Sequence, residues 1–151
     1  MLDLNNLEKY KENNRIEAKE AVGGLPHSIW ETYSAFANTL GGIILLGVAE
    51  AEDKSLYPVD LDVPEKLITE FWDIVNNREY VSANILSDED VQIRRADGKR
   101  VVVIKVPQAA DCEKPVYIGK DVFHGTYVRC GEGDYRCTPE QVRDFADKNR
   151  L

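Results

Sequence analysis

The fold is decided by residues 34–50, SAFANTLGGIILLGVAE. Apolar residues at helical spacing end at Gly41–Gly42, and an unbroken apolar run over residues 43–48 follows at once. Because this run does not alternate between apolar and polar residues, it predicts a strand that is buried on both faces. Glycine adopts positive φ at little cost, so the glycine pair lets the chain turn sharply from the helix into the strand. We therefore expect a helix–turn–strand unit at the centre of the fold, with Glu50 where the strand leaves the core.

The rest of the chain carries both helical and strand patterns. Helical spacing covers residues 3–12, 29–40 and 64–78 and begins again at Thr138. Strand patterns cover residues 15–20, 43–48, 81–86, 91–95, 100–106, 116–118 and 123–129. Residues 51–62 read as a polar loop, and residues 131–133 as a glycine-rich turn. Because no strict alternation of strand and helix is present, we expect an α+β fold with a mixed, mostly antiparallel sheet and three to four helices packed on it.

Two short motifs support these boundaries. Asp97-Gly98 lies between two β-rich runs, and this dipeptide is a strong signal for a hairpin. Thr138 is expected to cap the last helix, because Pro139 suits its first position and Gln141 follows three residues after the cap.

Length and composition bound the class of protein. The 151 residues suit a single domain, residues 1–151, and we expect it to be the N-terminal domain of a longer protein. No run approaches the roughly 20 apolar residues of a membrane-spanning helix, and the polar N-terminus does not resemble a signal peptide. The three cysteines form no CxxC pair, so we expect reduced thiols and a cytoplasmic location.

Charge is distributed unevenly along the chain, whose formal net charge is −8. Residues 1–90 carry 7 Lys and Arg against 18 Asp and Glu, a net of −11, whereas residues 91–151 carry 12 against 9, a net of +3. The acidic total argues against strong non-specific binding to nucleic acid. A local basic face built from the second half stays compatible with that total.

The clearest basic cluster falls on the predicted hairpin and consists of Arg94, Arg95, Lys99 and Arg100. Such a basic β-arm would contact phosphates or enter a groove. The alternative is a charged solvent face that protects an edge strand from pairing, and the sequence leaves both open.

Other motifs of chemistry are weak. Cys112, His124, Cys130 and Cys137 have irregular spacing, whereas structural zinc sites use close pairs, so we expect no zinc. The glycines of residues 131–133 lack the Lys-Ser/Thr of a phosphate-binding loop, and no GxGxxG is present, so we expect no ATPase activity.

Three segments together resemble the Schlafen AlbA-like domain. They are ENNRIEAKEAVGGLP at residues 12–26, the central stretch at residues 34–50, and KPVYI at 114–118 with TYVRCGEGDYRCTPEQV at 126–142. The likeness covers nearly the whole chain in the right order, and AFANTxGG followed by an apolar strand is its most specific part. The resemblance implies an α+β fold and association with nucleic acid, DNA more than RNA. It also implies a place at the N-terminus of a bacterial transcriptional regulator.

The resemblance further implies which residues would act. Some Schlafen members resemble metal-dependent endoribonucleases with three carboxylates, and Glu12, Glu17 and Glu50 hold those positions here as catalytic residues and ligands for Mg²⁺ or Mn²⁺. Glu50 stands where Asp is common. Lys19 would then bind a phosphate, whereas the plainer interpretation has Glu17 and Lys19 as an exposed ion pair. The family's YxRxG motif places Arg129 among the nucleic-acid-binding residues, although it could equally pair with an internal carboxylate.

Three hypotheses follow. The first is a nucleic-acid-binding domain of a transcriptional regulator, which needs no cofactor, contacts phosphates and gains affinity as a homodimer or from a further domain downstream. The second is a divalent-metal-dependent nuclease. The third is a protein-interaction domain without nucleic-acid contact, which the acidity of residues 1–90 supports.

Overall fold

A four-stranded mixed sheet forms the centre of the computed structural model, which describes residues 2–149. Along the chain, the elements are a 3-10 helix Leu4–Lys9, β1 Ile16–Lys19, α1 Ile29–Asn38, β2 Gly42–Leu46, β3 Val48–Glu50, β4 Leu56–Pro58, α2 Pro64–Val75, β5 Val91–Ala96, β6 Lys99–Val106, α3 Val122–Gly125, β7 Tyr127–Cys130, β8 Gly133–Arg136 and α4 Pro139–Asn149. Short 3-10 turns also occur at Asp88–Asp90 and Asp111–Glu113. Within the described part of the chain, no helix has the length and apolarity needed to cross a membrane.

The strand order of the central sheet is β1-β2-β6-β5. β1 runs parallel to β2, whereas the β2–β6 and β5–β6 pairs are antiparallel. Two further hairpins, β3–β4 and β7–β8, are also antiparallel. The predicted α+β class with a mostly antiparallel sheet is therefore confirmed.

Both faces of the central sheet are covered. On one face, α1 and α2 pack against alternate residues of β2 and β6, and this core contains Tyr33, Phe36, Ile44, Phe71, Val102 and Ile104. On the other face, the 3-10 helix and the β3–β4 hairpin form a smaller core of Leu7, Leu45, Val48, Leu56, Ala96 and Val101. The apolar run of β2 is thus buried from two sides, as its lack of alternation predicts.

The turn between α1 and β2 requires both glycines. Gly41 has φ of +74°, and a Cβ there would lie 2.7 Å from the carbonyl oxygen of Val106. A Cβ on Gly42 would lie 2.8 Å from the ring of Phe36. The expected sharp turn is confirmed, and side chains are excluded there by backbone and core atoms.

The predicted single strand over residues 43–48 is wrong at its last two residues. Gly47 has φ of +84° and breaks the run, so Val48 begins a separate strand, β3. A Cβ on Gly47 would lie 2.7 Å from Cγ of Leu61, which shows how closely the next segment approaches. β4 then forms at Leu56–Pro58, inside the stretch that the sequence assigns to a polar loop.

Three further predictions are wrong in detail. Residues 81–86 contribute only the isolated bridge of Val81 with Ile118 instead of a strand. Residues 122–125 form α3, because the Asp121 carboxylate accepts the backbone N–H of Phe123 and caps the helix. The predicted glycine-rich turn of residues 131–133 is one residue shorter in the structure, because Gly133 already begins β8. The predicted hairpin at Asp97-Gly98 and the Thr138–Gln141 cap are confirmed.

Polar residues of α1 hold Val116 and the start of β7 against that helix. The Ser34 hydroxyl donates to the carbonyl of Val116 at 2.7 Å and accepts the N–H of Tyr127 at 3.0 Å. The Asn38 amide donates to the carbonyls of Val116 and Tyr127 at 2.8 and 3.0 Å and accepts the N–H of Val116 at 2.8 Å. These buried side chains therefore replace sheet hydrogen bonds and position β7 beside α1.

Candidate functional site

Arg129, on β7, lies at the centre of a buried polar network, and its side chain is 0% exposed. Nη1 donates to Oε1 of Glu17 at 2.8 Å and to Oδ1 of Asp134 at 2.7 Å. Nε and Nη2 donate to the carbonyl of Asn13 at 3.1 and 2.8 Å, and Nη2 also donates to the carbonyl of Ile16 at 3.1 Å. The five N–H groups of the guanidinium are therefore all bound inside the domain.

This network corrects one sequence prediction. Arg129 is predicted to bind nucleic acid, but it has neither an exposed surface nor a free donor for a phosphate. The alternative interpretation, a pair with internal carboxylates, is the one found. Burial lowers the pKa of Arg129, but the hydrogen bonds that it donates to Asp134 and Glu17 outweigh burial and raise the pKa overall. Thr32 donates to the second oxygen of Asp134 at 2.6 Å, which fixes that carboxylate too.

A cluster of three carboxylates lies at the edge of β1. Glu12, Glu50 and Glu132 each offer one oxygen, and these oxygens lie within 4.8 Å of one another. The N–H of Ala18, on the outer edge of β1, donates to Oε2 of Glu12 at 3.0 Å and holds it in place. Glu50 ends β3, and Glu132 lies in the turn between β7 and β8. We call these three residues the carboxylate cluster.

The carboxylate cluster differs from the predicted trio in one member. Glu12 and Glu50 do come together, but their third neighbour is Glu132. Glu17 instead pairs with Arg129 and, at 3.6 Å, with Lys19. Sequence reasoning missed Glu132, for which the only local signal is an acidic residue between two glycines at a turn.

Electrostatics in the carboxylate cluster favours a bound proton. Burial, together with repulsion from Glu17 and Glu50, raises the pKa of Glu12 to about 7, although the Ala18 N–H opposes this rise. Lys54 lies 3.7 Å from Glu50 and offsets part of the negative charge. A bound cation would neutralise the negative charge of the carboxylate cluster more completely, because metal binding displaces protons from such ligands.

The carboxylate cluster has the right donors for a hard divalent cation. Mg²⁺ prefers oxygen ligands at about 2.1 Å in octahedral geometry, so neighbouring ligand oxygens lie about 3 Å apart. The 4.8 Å limit of the carboxylate cluster is wider, so binding would draw the oxygens together. Glu50 and Glu132 are exposed and free to make this adjustment, whereas Glu12 is half-buried. The chemical type of these ligands therefore fits Mg²⁺ or Mn²⁺, although their spacing would have to shorten on binding.

Lys19 is placed differently from the prediction of an open phosphate contact. Its Nζ donates to Oγ of Ser28 at 3.0 Å and pairs with Glu17, and its side chain is only 13% exposed. The alternative interpretation predicted an exposed ion pair of Glu17 and Lys19. The ion pair is present, but both side chains are largely buried.

Three cations of the β5–β6 hairpin are exposed, namely Arg94, Arg95 and Lys99, and we call them the basic edge. Arg94 donates to the Gln92 side chain at 2.8 Å, and Arg95 donates to the carbonyl of Gly98 at 2.9 Å. Neither contact is with a carboxylate, and within residues 2–149 neither arginine forms an ion pair. The basic edge therefore keeps its charge available for an anionic ligand.

Arg100 belongs to the same hairpin but is engaged within the domain. Its Nη2 lies 3.2 Å from Oδ2 of Asp60, and its Nη1 donates to the carbonyl of Asp62 at 3.2 Å. The hydrogen bonds from Arg100 lower the pKa of Asp60. This pair ties β6 to the segment before α2, so Arg100 has less freedom than the basic edge.

A mixed sheet with helices on one face, a sealed polar network and a carboxylate cluster together define a small α+β domain. The chain belongs to the family described as Schlafen, AlbA_2, which matches residues 12–138. Its fold resembles that of the N-terminal domain of a protein from Nitrosomonas europaea described as related to the ATP-dependent DNA helicase RecG. The two share 29% identity with a TM-score of 0.65, over 91% of this chain and 95% of that one.

A second solved structure shows the fold alone. The protein DIP2311 from Corynebacterium diphtheriae shares 18% identity and a TM-score of 0.53, over 87% of this chain and 23% of that one. No curated protein matches the chain.

Proposed function

We propose that this chain is a nucleic-acid-binding domain whose basic edge contacts the phosphates of DNA. Family membership supports a role with nucleic acid, as does the similarity to a domain from a protein named for a DNA helicase. The observation that carries the proposal is the exposed charge of Arg94, Arg95 and Lys99, none of which forms an ion pair with another described residue, in a domain that is otherwise acidic.

The arrangement of the basic edge suits phosphates better than bases. Successive side chains of a strand point to opposite faces, so Arg94 and Arg95 lie on the two sides of β5. The register pairs Ala96 with Lys99, which puts Lys99 on the same face as Arg94. Charges on both sides of one ribbon contact a backbone without reading sequence, so weak binding that depends little on sequence is expected.

The salt dependence of binding gives a quantitative test. Three neutralised phosphates on B-DNA give a slope of log affinity against log salt of about −2.7. Fluorescence anisotropy titrations of duplex DNA and hairpin RNA would measure this slope. Replacing one cation, in Arg94→Ala or Arg95→Ala, should reduce the slope by about one phosphate equivalent.

A matched control is the exposed Lys120, which lies in another turn. Lys120→Ala removes the same charge and should leave the slope unchanged. Equal losses in all three variants would mean that only net charge matters, and absence of binding at low salt would favour a protein-interaction domain instead. A homodimer would raise affinity by presenting two basic edges together, and an additional domain would raise it through contacts of its own. A cytoplasmic transcriptional regulator is the setting we infer for such a domain.

A second candidate function, metal-dependent cleavage of nucleic acid, is favoured by the carboxylate cluster. A divalent cation held by Glu12, Glu50 and Glu132 would neutralise phosphate charge and activate water. Glu17 would act indirectly, since its carboxylate is paired with Arg129.

The test for this second function is cleavage of hairpin RNA and duplex DNA in Mg²⁺ or Mn²⁺, with product lengths read on a gel. Glu132→Gln should abolish cleavage while leaving the salt slope of binding intact. Binding without any cleavage by the unmodified protein would reject this second function and leave the first in place.

A further inference from the structure

The two edges of the central sheet are treated differently by the rest of the domain. On β1, the outward N–H of Ala18 is bound by the Glu12 carboxylate, and the outward carbonyl of Ile16 is bound by Arg129 and by the N–H of Asn13. Side chains therefore seal this edge against a further strand, as natural sheets commonly do.

The opposite edge, β5, is open. Within residues 2–149, β6 is the strand that pairs with β5, and no other described backbone group bonds to residues 92–96. Residues 92–95 are exposed in succession, on both faces of the strand. Among them, the apolar side chain of Ile93 is 38% exposed. Only the strand's ends, Val91 and Ala96, are buried. This edge presents unpaired main-chain groups to an incoming strand.

We propose that β5 is a docking edge for an extended acidic segment of a partner protein, which adds a fifth strand to the central sheet. Main-chain hydrogen bonds would supply affinity, and the side chains of the edge would select the partner. Arg94 and Arg95 point to opposite faces, so two consecutive carboxylates in the incoming strand would each oppose one guanidinium. An apolar or β-branched residue beside them would cover Ile93.

Charge decides between this partner and a second copy of the chain. Two β5 edges paired with each other would bring four guanidiniums, from Arg94 and Arg95 of both copies, close together in one ribbon. Like charges on neighbouring cross-strand positions are destabilising. Opposite charges there are stabilising, so an acidic strand is the better occupant.

Docking would also regulate nucleic-acid binding, because both ligands use the same two arginines. This competition rests on the proposed function, whereas docking itself does not. An acidic strand bound to β5 would neutralise the basic edge and release DNA.

The experiment uses the peptide Gly-Thr-Val-Glu-Glu-Val-Thr-Gly, blocked at both ends, with binding followed by NMR shifts of the β5 amides. Two matched peptides keep both carboxylates and carry N-methyl groups either on every residue or on alternate residues only. Because a strand donates alternate N–H groups from each of its two edges, the fully methylated peptide should lose at least roughly tenfold in affinity, whereas the alternately methylated peptide keeps one open edge and should still bind. Equal binding of all three peptides would overturn the proposal, since charge attraction alone would explain it.

Protein variants complete the test. Arg94→Glu with Arg95→Glu should abolish peptide binding, and Lys120→Glu should not change it. If duplex DNA binds with the expected salt slope but no peptide shifts the β5 amides, docking is rejected and the proposed function stands. If the peptide binds with the methylation pattern but DNA does not bind, docking stands and the proposed function is rejected.

Discussion

Arg129 on β7 and Glu17 on β1 form a 2.8 Å ion pair across 112 residues of sequence. The arginine side chain is 0% exposed and the glutamate side chain 13%. The pair joins the β7–β8 hairpin to the edge of the central sheet, and the turn of that hairpin carries Glu132. A buried contact that looks structural therefore also positions a member of the carboxylate cluster next to Glu12.

Replacing Arg129 should destabilise the fold strongly. In Arg129→Ala, Glu17 and Asp134 lose their shared counter-ion in a mostly buried setting, so the free energy of unfolding should fall by about 3–5 kcal/mol. Arg129→Lys keeps the charge but lacks the planar fork that reaches the carbonyls of Asn13 and Ile16, so its loss should be intermediate. Urea unfolding measures both. The matched control is Arg136→Ala, at an exposed position of β8, with a change within about 0.5 kcal/mol; equal effects at both positions would contradict the role assigned to the network.

Alanine substitutions at two glycines with similar backbone angles distinguish the cost of backbone strain from the cost of a steric clash. Gly41 and Gly98 have φ of +74° and +79°, so alanine should cost about 1 kcal/mol in backbone strain at either position. At Gly98 no atom lies within 4 Å of a new Cβ, whereas at Gly41 the carbonyl oxygen of Val106 lies at 2.7 Å. Gly41→Ala should therefore lose about 2 kcal/mol more than Gly98→Ala in urea unfolding. Similar losses in the two variants would show that the α1–β2 turn relaxes freely.

The raised pKa of Glu12 predicts how stability depends on pH. The pKa is about 7 in the folded protein against an ordinary value of 4.5, so folding favours the protonated form. The resulting stabilisation is fully present below a pH of about 4.5 and is lost as the pH rises through about 7. Glu12→Gln, which cannot ionise, should match the unmodified protein at low pH and exceed it above pH 7 by about 1 kcal/mol, a figure reduced for partial exposure.

Thermal unfolding over this pH range is the measurement. As a control, Glu50→Gln removes a repelling charge and should move the transition to lower pH without abolishing it. Parallel pH profiles for Glu12→Gln and the unmodified protein would refute the assigned ionisation.

Divalent cations should stabilise the folded protein through the carboxylate cluster. Mn²⁺ at one hundred times its Kd should add about 2.7 kcal/mol to the free energy of unfolding. Glu132→Gln should remove most of this gain, whereas Glu140→Gln, an exposed acid in the first turn of α4, should not. Calorimetry with and without EDTA gives the comparison, and an undiminished gain in Glu132→Gln would place the cation elsewhere.

Local sequence patterns were enough to predict the structure where the residues that determine it are close together in the sequence. The Asp97-Gly98 hairpin and the Thr138–Gln141 cap each close within a few residues, so their geometry depends on the local backbone alone. The helix–turn–strand unit was also predicted, because glycine at Gly41 tolerates positive φ. By contrast, Leu61 approaches Gly47 closely at the end of β2, and no local pattern records that contact because Leu61 belongs to the next segment.

By itself, the sequence determined the α+β class, the buried central strand and the set of groups able to carry charge. Only the tertiary structure decided which of those groups meet. Glu132 completes the carboxylate cluster with Glu12 and Glu50, whereas the Glu17 carboxylate is bound by Arg129, over a hundred residues away. Arg129 and Arg94 are the same residue type, yet one is sealed in the interior and the other is exposed. The physical reason is that burial and ion pairing depend on distances between residues far apart in the chain, and folding sets those distances.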